Sequence, residues 1–159
     1  MKFSKLLLPT LFMILFVGCV SKSEHSAIIK EALSVMKEST AKMGEPSVVN
    51  DSLFFGTTNL NNNFELVDAL QAQFGCTATF FIKRGQDFIR ISTDVMQDGH
   101  RAVGTKLDPT GPVIGIIEEG KPFFGTVDIL GNKYETGYEP IQNAKGEVIG
   151  IHYIGFQIK

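Results

Sequence analysis

The spacing of apolar positions changes along this chain, and each change marks an element. Leu6 to Val17 is an almost unbroken apolar run. From Ser23 to Met43, Ile28, Ile29, Ala32, Leu33, Met36 and Met43 recur at helical spacing with Lys and Glu between them, which predicts an amphipathic helix. Gly44-Glu45-Pro46 ends it, because Gly releases a helix and Pro cannot continue one. Val48 to Phe55 predicts a strand, and Asn59 to Asn63 a turn cluster. Asn63 is placed to cap a second helix over Phe64 to Phe74, buried through Leu66, Val67, Leu70 and Phe74 and closed by Gly75. Glu65 falls in its first turn, where the helix dipole favours a carboxylate.

From Thr77 the period falls to two. Ala78, Phe80 and Ile82 share one side, and Thr77, Thr79 and Phe81 the other. Lys83 to Asp87 is a hairpin connection in which Gly85 takes positive φ. The return strand puts Phe88, Arg90 and Ser92 on one face and Ile89, Ile91 and Thr93 on the other. Asp98-Gly99 is a second turn, leading into a loop with His100, Arg101 and Lys106. Pro112 to Glu119 reads as a short helix or an irregular segment. Strands follow over Phe124–Leu130, Tyr134–Ile141 and Glu147–Ile158, joined at Gly131-Asn132 and Asn143 to Gly146. The expectation is an α+β fold with a central antiparallel sheet of about five strands and a long N-terminal helix.

The first apolar run is an address. Lys2 and Lys5 precede it, it is shorter than the ~20 residues of a membrane-spanning helix, and it ends at Gly18-Cys19 before a polar stretch. Residues 1–18 therefore resemble a bacterial lipoprotein signal peptide, with Cys19 lipidated as the mature N-terminus. Residues 19–24 are then a tether and 25–159 one sensory-sized domain. Phe16 stands where Leu is usual, three before the Cys, and an uncleaved anchor or an ordinary signal remains the alternative. With acyl chains on Cys19, each buried CH2 contributes ~0.8 kcal/mol to anchoring. Loss of Lys2 and Lys5 leaves 13 basic against 17 acidic residues, so charge does not hold the protein to anionic lipid and gives no sign of a nucleic-acid partner. The two cysteines are no disulfide framework.

Phe64 to Asp68, Ala78 to Phe81, Asp87 to Thr93, Gly99 to Thr105, Gly125, Ile129 to Gly131, Tyr134 to Pro140 and Gly146 to Gly155 stand in one order and spacing. Together they resemble the single Cache domains of bacterial extracytoplasmic sensing, of the Cache 3/Cache 2 fusion type. The resemblance implies a PAS-like fold and a pocket that senses a small molecule outside the cytoplasm, as in chemotaxis receptors and sensor kinases. Two departures stand out. Cys76 lies where a second Gly commonly follows Gly75, and no second apolar span follows the last strand before Lys159. The expectation is a solitary periplasmic-side domain whose output passes to a membrane receptor or kinase.

Among candidate ligand-binding residues, Arg101 leads, because a guanidinium clamps a carboxylate through two parallel hydrogen bonds. A structural ion pair with a nearby Asp weighs equally. Arg90 sits inside a strand, where a buried charge needs a partner, or it lies on a solvated face. Tyr134 and Tyr138 share a strand face and either wall a pocket or pack in the core. Phe123, Lys106, His100 and Asp128 complete the set. Cys76 reads as a small buried apolar residue. No cofactor motif, nucleophile–base pair or metal-ligand spacing is present, which excludes a zinc site and disfavours an enzyme. The reading is a small-molecule-binding domain, a short organic acid being the expected ligand; the alternative is an accessory, protein-interaction lipoprotein with a vestigial pocket. Replacing Cys19 by Ser is expected to move the protein from the membrane fraction to the soluble one and change its apparent mass; an unchanged membrane fraction at unchanged mass overturns the lipid assignment.

Overall fold

The computed structural model describes residues 23–158. The expected signal peptide, Cys19 and the start of the expected tether lie outside the described residues. Helix α1 (Ser23–Met43) is followed by short strands β1 (Pro46–Val49), β2 (Ser52–Phe55) and β3 (Thr58–Asn59), then helix α2 (Glu65–Phe74). Strands β4 (Thr77–Arg84) and β5 (Asp87–Thr93), the small hairpin β6 (Met96–Gln97) and β7 (His100–Arg101), and helix α3 (Val113–Glu118) come next. The chain finishes with β8 (Phe123–Ile129), β9 (Asn132–Gln142) and β10 (Val148–Gln157).

The central sheet has five strands in the order β5-β4-β10-β9-β8, every neighbouring pair antiparallel. It is the α+β, PAS-like arrangement expected from the sequence. Both faces are covered. Helices α1 and α2 pack Ile29, Leu33, Met36, Val67 and Leu70 against Ala78, Phe80, Ile82 and Ile154 on one face. On the other, α3 and the segment before it lay Leu107, Val113 and Ile117 over Phe81, Phe88, Tyr138 and Tyr153. Alternation along β4 thus separates two apolar cores rather than a core from solvent, which is why both of its faces are buried.

Three local expectations change. Val48 to Phe55 is a hairpin and not one strand, because Asn50 and Asp51 both adopt positive φ (47° and 62°), which Asn and Asp tolerate at a tight turn. Helix α2 starts at Glu65 with no side-chain cap. Asn63 instead accepts the Glu65 N–H at 3.2 Å, closing the turn ahead of the helix. On β5 the ladder slips between Phe80 and Phe81: Thr93 faces Thr79 and Ser92 faces Phe80, while Arg90 faces Phe81. This bulge at Ile91 puts Thr93 on the Arg90 face and Ser92 on the other, the reverse of strict alternation.

Close contact of α1 with the sheet depends on Gly137. A Cβ there would stand 2.7 Å from both Ile29 Cγ2 and Leu33 Cδ1. Gly137→Ala is expected to lower unfolding free energy by about 1–3 kcal/mol through overpacking, measured by chemical denaturation. An unchanged midpoint would show that α1 shifts freely on the sheet.

Candidate functional site

The sheet face beneath α3 carries most of the buried polar chemistry. Register places Thr77, Thr79 and Phe81 of β4, Tyr153 and Gly155 of β10, and Thr136 and Tyr138 of β9 on this one face. The Tyr138 and Tyr153 rings lie 4.9 Å apart, and Phe81 and Phe123 stand edge-on to them. Gly155 makes room for this packing, since a Cβ there would meet the Tyr153 hydroxyl. That hydroxyl lies 3.0 Å from Thr77 Oγ1. Desolvation raises the ionisation of both tyrosines above the usual phenol range, so their hydroxyls stay protonated and able to donate. Beside Tyr138 is a cavity of about 200 Å3, walled by Leu107, Pro112, Val113, Val127 and Asp128.

Arg90 lies on the same face and is 4% exposed. Its guanidinium sits 5.0 Å above the Phe81 ring and donates from Nη1 to Thr105 Oγ1 (2.8 Å) and to the Lys106 carbonyl (3.3 Å). Its Nε–H is buried without a partner, and no carboxylate pairs with it among the described residues. Burial pulls its ionisation downward, opposed by the Tyr138 and Tyr153 groups. A guanidinium in this setting still remains charged, so Arg90 is a buried cation held only by neutral acceptors.

Arg101 is differently placed. Its two Nη atoms clamp Asp68 of α2 at 2.8 and 3.0 Å, Nη1 also donates to the Thr93 carbonyl, and the group stacks 4.3 Å from the Phe64 ring. Arg101 therefore makes the structural ion pair that was the equal alternative to a ligand clamp. Next to it, Asp94 is buried, with Oδ1 accepting the Ala78 N–H at 2.7 Å and Oδ2 unpartnered. Desolvation pushes its carboxyl up to about 6, with Asp68 adding to the rise and the Ala78 N–H and Arg101 opposing it.

The structure brings Arg90, Tyr134, Tyr138 and Phe123 to this layer, while Asp128 borders the cavity from β8 with its side chain on the α1 side. It does not bring His100 or Lys106 to it: His100 is exposed at the start of β7, and Lys106 pairs with Asp87 at 2.6 Å in solvent. Asp128 also accepts the Gly131 N–H, which stabilises the β8–β9 turn. Sequence reasoning passed over Tyr153 and Asp94. Tyr153 falls in the same period-two phase as Ile151 and was readable as a face residue, whereas nothing in the spacing distinguishes Asp94. On the opposite face His152 is fully enclosed; burial pulls it down to about 3, so it is neutral, and its Nε2 lies 3.2 Å from Thr40 Oγ1 of α1. Cys76 is buried, and desolvation pushes its thiol up to about 12, so it is unreactive as a nucleophile.

The family model described as the Cache 3/Cache 2 fusion domain matches residues 17–159. The chain belongs to this family, whose domains sense small molecules outside the cytoplasm. No curated protein matches the chain. No helix among the described residues is long and apolar enough to cross a membrane.

Asp94 gives the fold a pH dependence whose sign is fixed. Its folded-state value of about 6 lies above the ordinary 3.8, so the protein favours the protonated form. The associated stability is complete below about pH 4 and is lost as pH rises through 6. Asp94→Asn keeps the acceptor for Ala78 and is expected to raise stability at pH 8 by about 3 kcal/mol while flattening the Tm–pH profile between 4 and 7. A variant with the wild-type profile would show that Asp94 is solvated.

Proposed function

We propose that this Cache-family chain is a membrane-tethered binding domain for a short organic acid, held at the extracytoplasmic surface by lipid on Cys19. One observation carries the reading. Arg90 is a buried cation with a free Nε–H and no carboxylate partner among the described residues; it borders a cleft of about 130 Å3 with Ile89, Val103 and Gly104, on the same sheet face as Tyr138 and the separate cavity beside it. Removing a charge from water without a counter-charge is costly, and a ligand carboxylate supplies both the charge and the acceptor. The volume beside Tyr138 sets the scale. About 200 Å3 is below the ~300–1,000 Å3 of drug-sized sites, which suits a metabolite of a few carbons. Tyr138 supplies a hydroxyl donor and Leu107, Val113 and Val127 the apolar wall, while Tyr134 and Phe123 pack beside them in the same layer.

Arg101, His100 and Lys106 take supporting places in this proposal. Arg101 ties the β7 end of the covering segment to α2 through Asp68, so a change at Arg101 loosens the cover rather than removing a ligand contact. Signal output then passes to a membrane receptor or kinase that the tether holds nearby.

The test is a thermal-shift screen of the purified chain against short mono-, di- and tricarboxylates, amines and amino acids, followed by calorimetry on the best hit. Arg90→Gln is expected to weaken binding of an acid by about 10–100-fold, the loss of one charge-assisted hydrogen bond. Tyr138→Phe, which keeps the packing, is expected to weaken it less. Equal affinity in wild type and both variants overturns the site, and a screen without any acid hit overturns the ligand class.

A further inference from the structure

The two edges of the central sheet are treated differently. On β5 the outer backbone groups are satisfied. Arg90 N–H donates to the Thr105 carbonyl (2.9 Å), Gly104 N–H to the Arg90 carbonyl (2.8 Å), Leu107 N–H to the Phe88 carbonyl (2.9 Å) and Asn62 N–H to the Ile91 carbonyl (2.8 Å). On β8 the outward groups have no partner among the described residues.

Which groups point outward follows from the turn. Leu130 and Gly131 (φ 53° and 85°) form a two-residue hairpin loop, so Ile129 and Asn132 close it as a hydrogen-bonded pair. Alternation then aims Ile129, Val127, Gly125 and Phe123 at β9. The Thr136 hydroxyl, donating from β9 to the Gly125 carbonyl at 2.7 Å, agrees with this phase. The N–H and C=O groups of Phe124, Thr126 and Asp128 are left facing away from the sheet. The same three side chains are exposed on the α1 side, Phe124 to 40%. An unpaired strand of seven residues without an internal Pro or Lys is a template for another strand.

We propose that β8 is a docking edge for a second copy of this chain, which adds its own β8 antiparallel about Thr126. In that register Thr126 lies opposite the partner's Thr126, and Phe124 opposite the partner's Asp128. Each of these pairs exchanges two backbone hydrogen bonds. The charges fit this register. Lys30 of α1 places its ammonium 5.5 Å from the Phe124 ring centroid, so the pairing sets the partner's Asp128 carboxylate beside it, twice by symmetry. The exposed Phe124 is covered at the same time. A groove of about 460 Å3, lined by Ser26, Ile29, Phe124 and Glu135, adjoins the edge and leaves room for the incoming side chains. This inference is separate from the ligand reading, whose Arg90 and Tyr138 belong to the α3 face; Thr126 and Asp128 border the cavity from β8 but carry their side chains on the α1 side.

A single-strand edge is small beside a standard interface of ~1,600 Å2, so the association is captured by cross-linking in the membrane rather than by dilution-sensitive sizing. The full chain carrying Thr126→Cys, oxidised in membranes with copper-phenanthroline, is expected to give a reducible homodimer at several times the wild-type yield. Leu130→Cys, exposed beyond the paired segment, gives no such gain. Lys30→Glu or Asp128→Lys in the Thr126→Cys background reduces the yield, and the two together restore it. Overturning results are no dimer at Thr126→Cys, equal dimer at Leu130→Cys, a cross-link to a different protein, or no rescue in the double swap. The Tm of each variant reports its fold. Lys30→Glu retains the acid-induced thermal shift where the ligand reading holds, so each idea fails by its own measurement.

Discussion

Burial of the central sheet on both faces is the constraint from which the rest of this structure follows. A sheet with one wet face can carry charged and hydroxyl side chains at no cost, whereas here every such group has to be satisfied inside the protein. The helical face carries little polarity: His152 is kept neutral, with Nε2 beside the Thr40 hydroxyl and Nδ1 without a partner. The face beneath α3 carries more. It gathers Arg90, Asp94, a Thr79–Thr93 hydroxyl pair and three tyrosines, and it leaves Arg90 Nε and Asp94 Oδ2 without partners. Buried polar side chains are thus denser on the face that adjoins the cavity beside Tyr138 than on the helical face.

The bulge at Ile91 makes that concentration possible. Without it, Ser92 would share the face of Arg90; with it, Thr93 turns inward to meet Thr79 at 2.6 Å between hydroxyl oxygens. The strand bends as a result, and the segment 102–107 lies along its outer edge as a substitute strand. The cover over the α3 face is therefore hydrogen-bonded to the sheet at one end and tied to α2 by the Arg101–Asp68 clamp. Blunting this edge leaves β8 as the open end of the sheet.

Much of the fold is legible in the residues. Helix α1, the Gly75 stop, the Gly85 turn and the three C-terminal strands each follow from local periodicity and from residues that tolerate positive φ. The candidate site was legible only in part. Tyr138 and Tyr134 could be placed by strand phase, because a period of two fixes which side chains share a face, whereas Phe123 fell just before the expected strand. The ranking of the two arginines was not legible: Arg101 leads in the sequence, yet it is the one paired with Asp68. Both read as a charge needing a partner, and whether that partner is Asp68 or something outside the chain depends on where α2 packs.

The sequence by itself determined the order of elements, the turn positions and membership in a recognisable sensory type, because propensity, capping and periodicity act over a few residues. Tertiary structure decided which strand edge is closed, which arginine is left unpaired and which face of the sheet holds the cavity. Those outcomes depend on contacts between residues far apart in the chain, such as Arg101 with Asp68, Arg90 with Thr105 and Gly137 with Ile29. Local pattern carries no distance between such pairs; only the packed chain does.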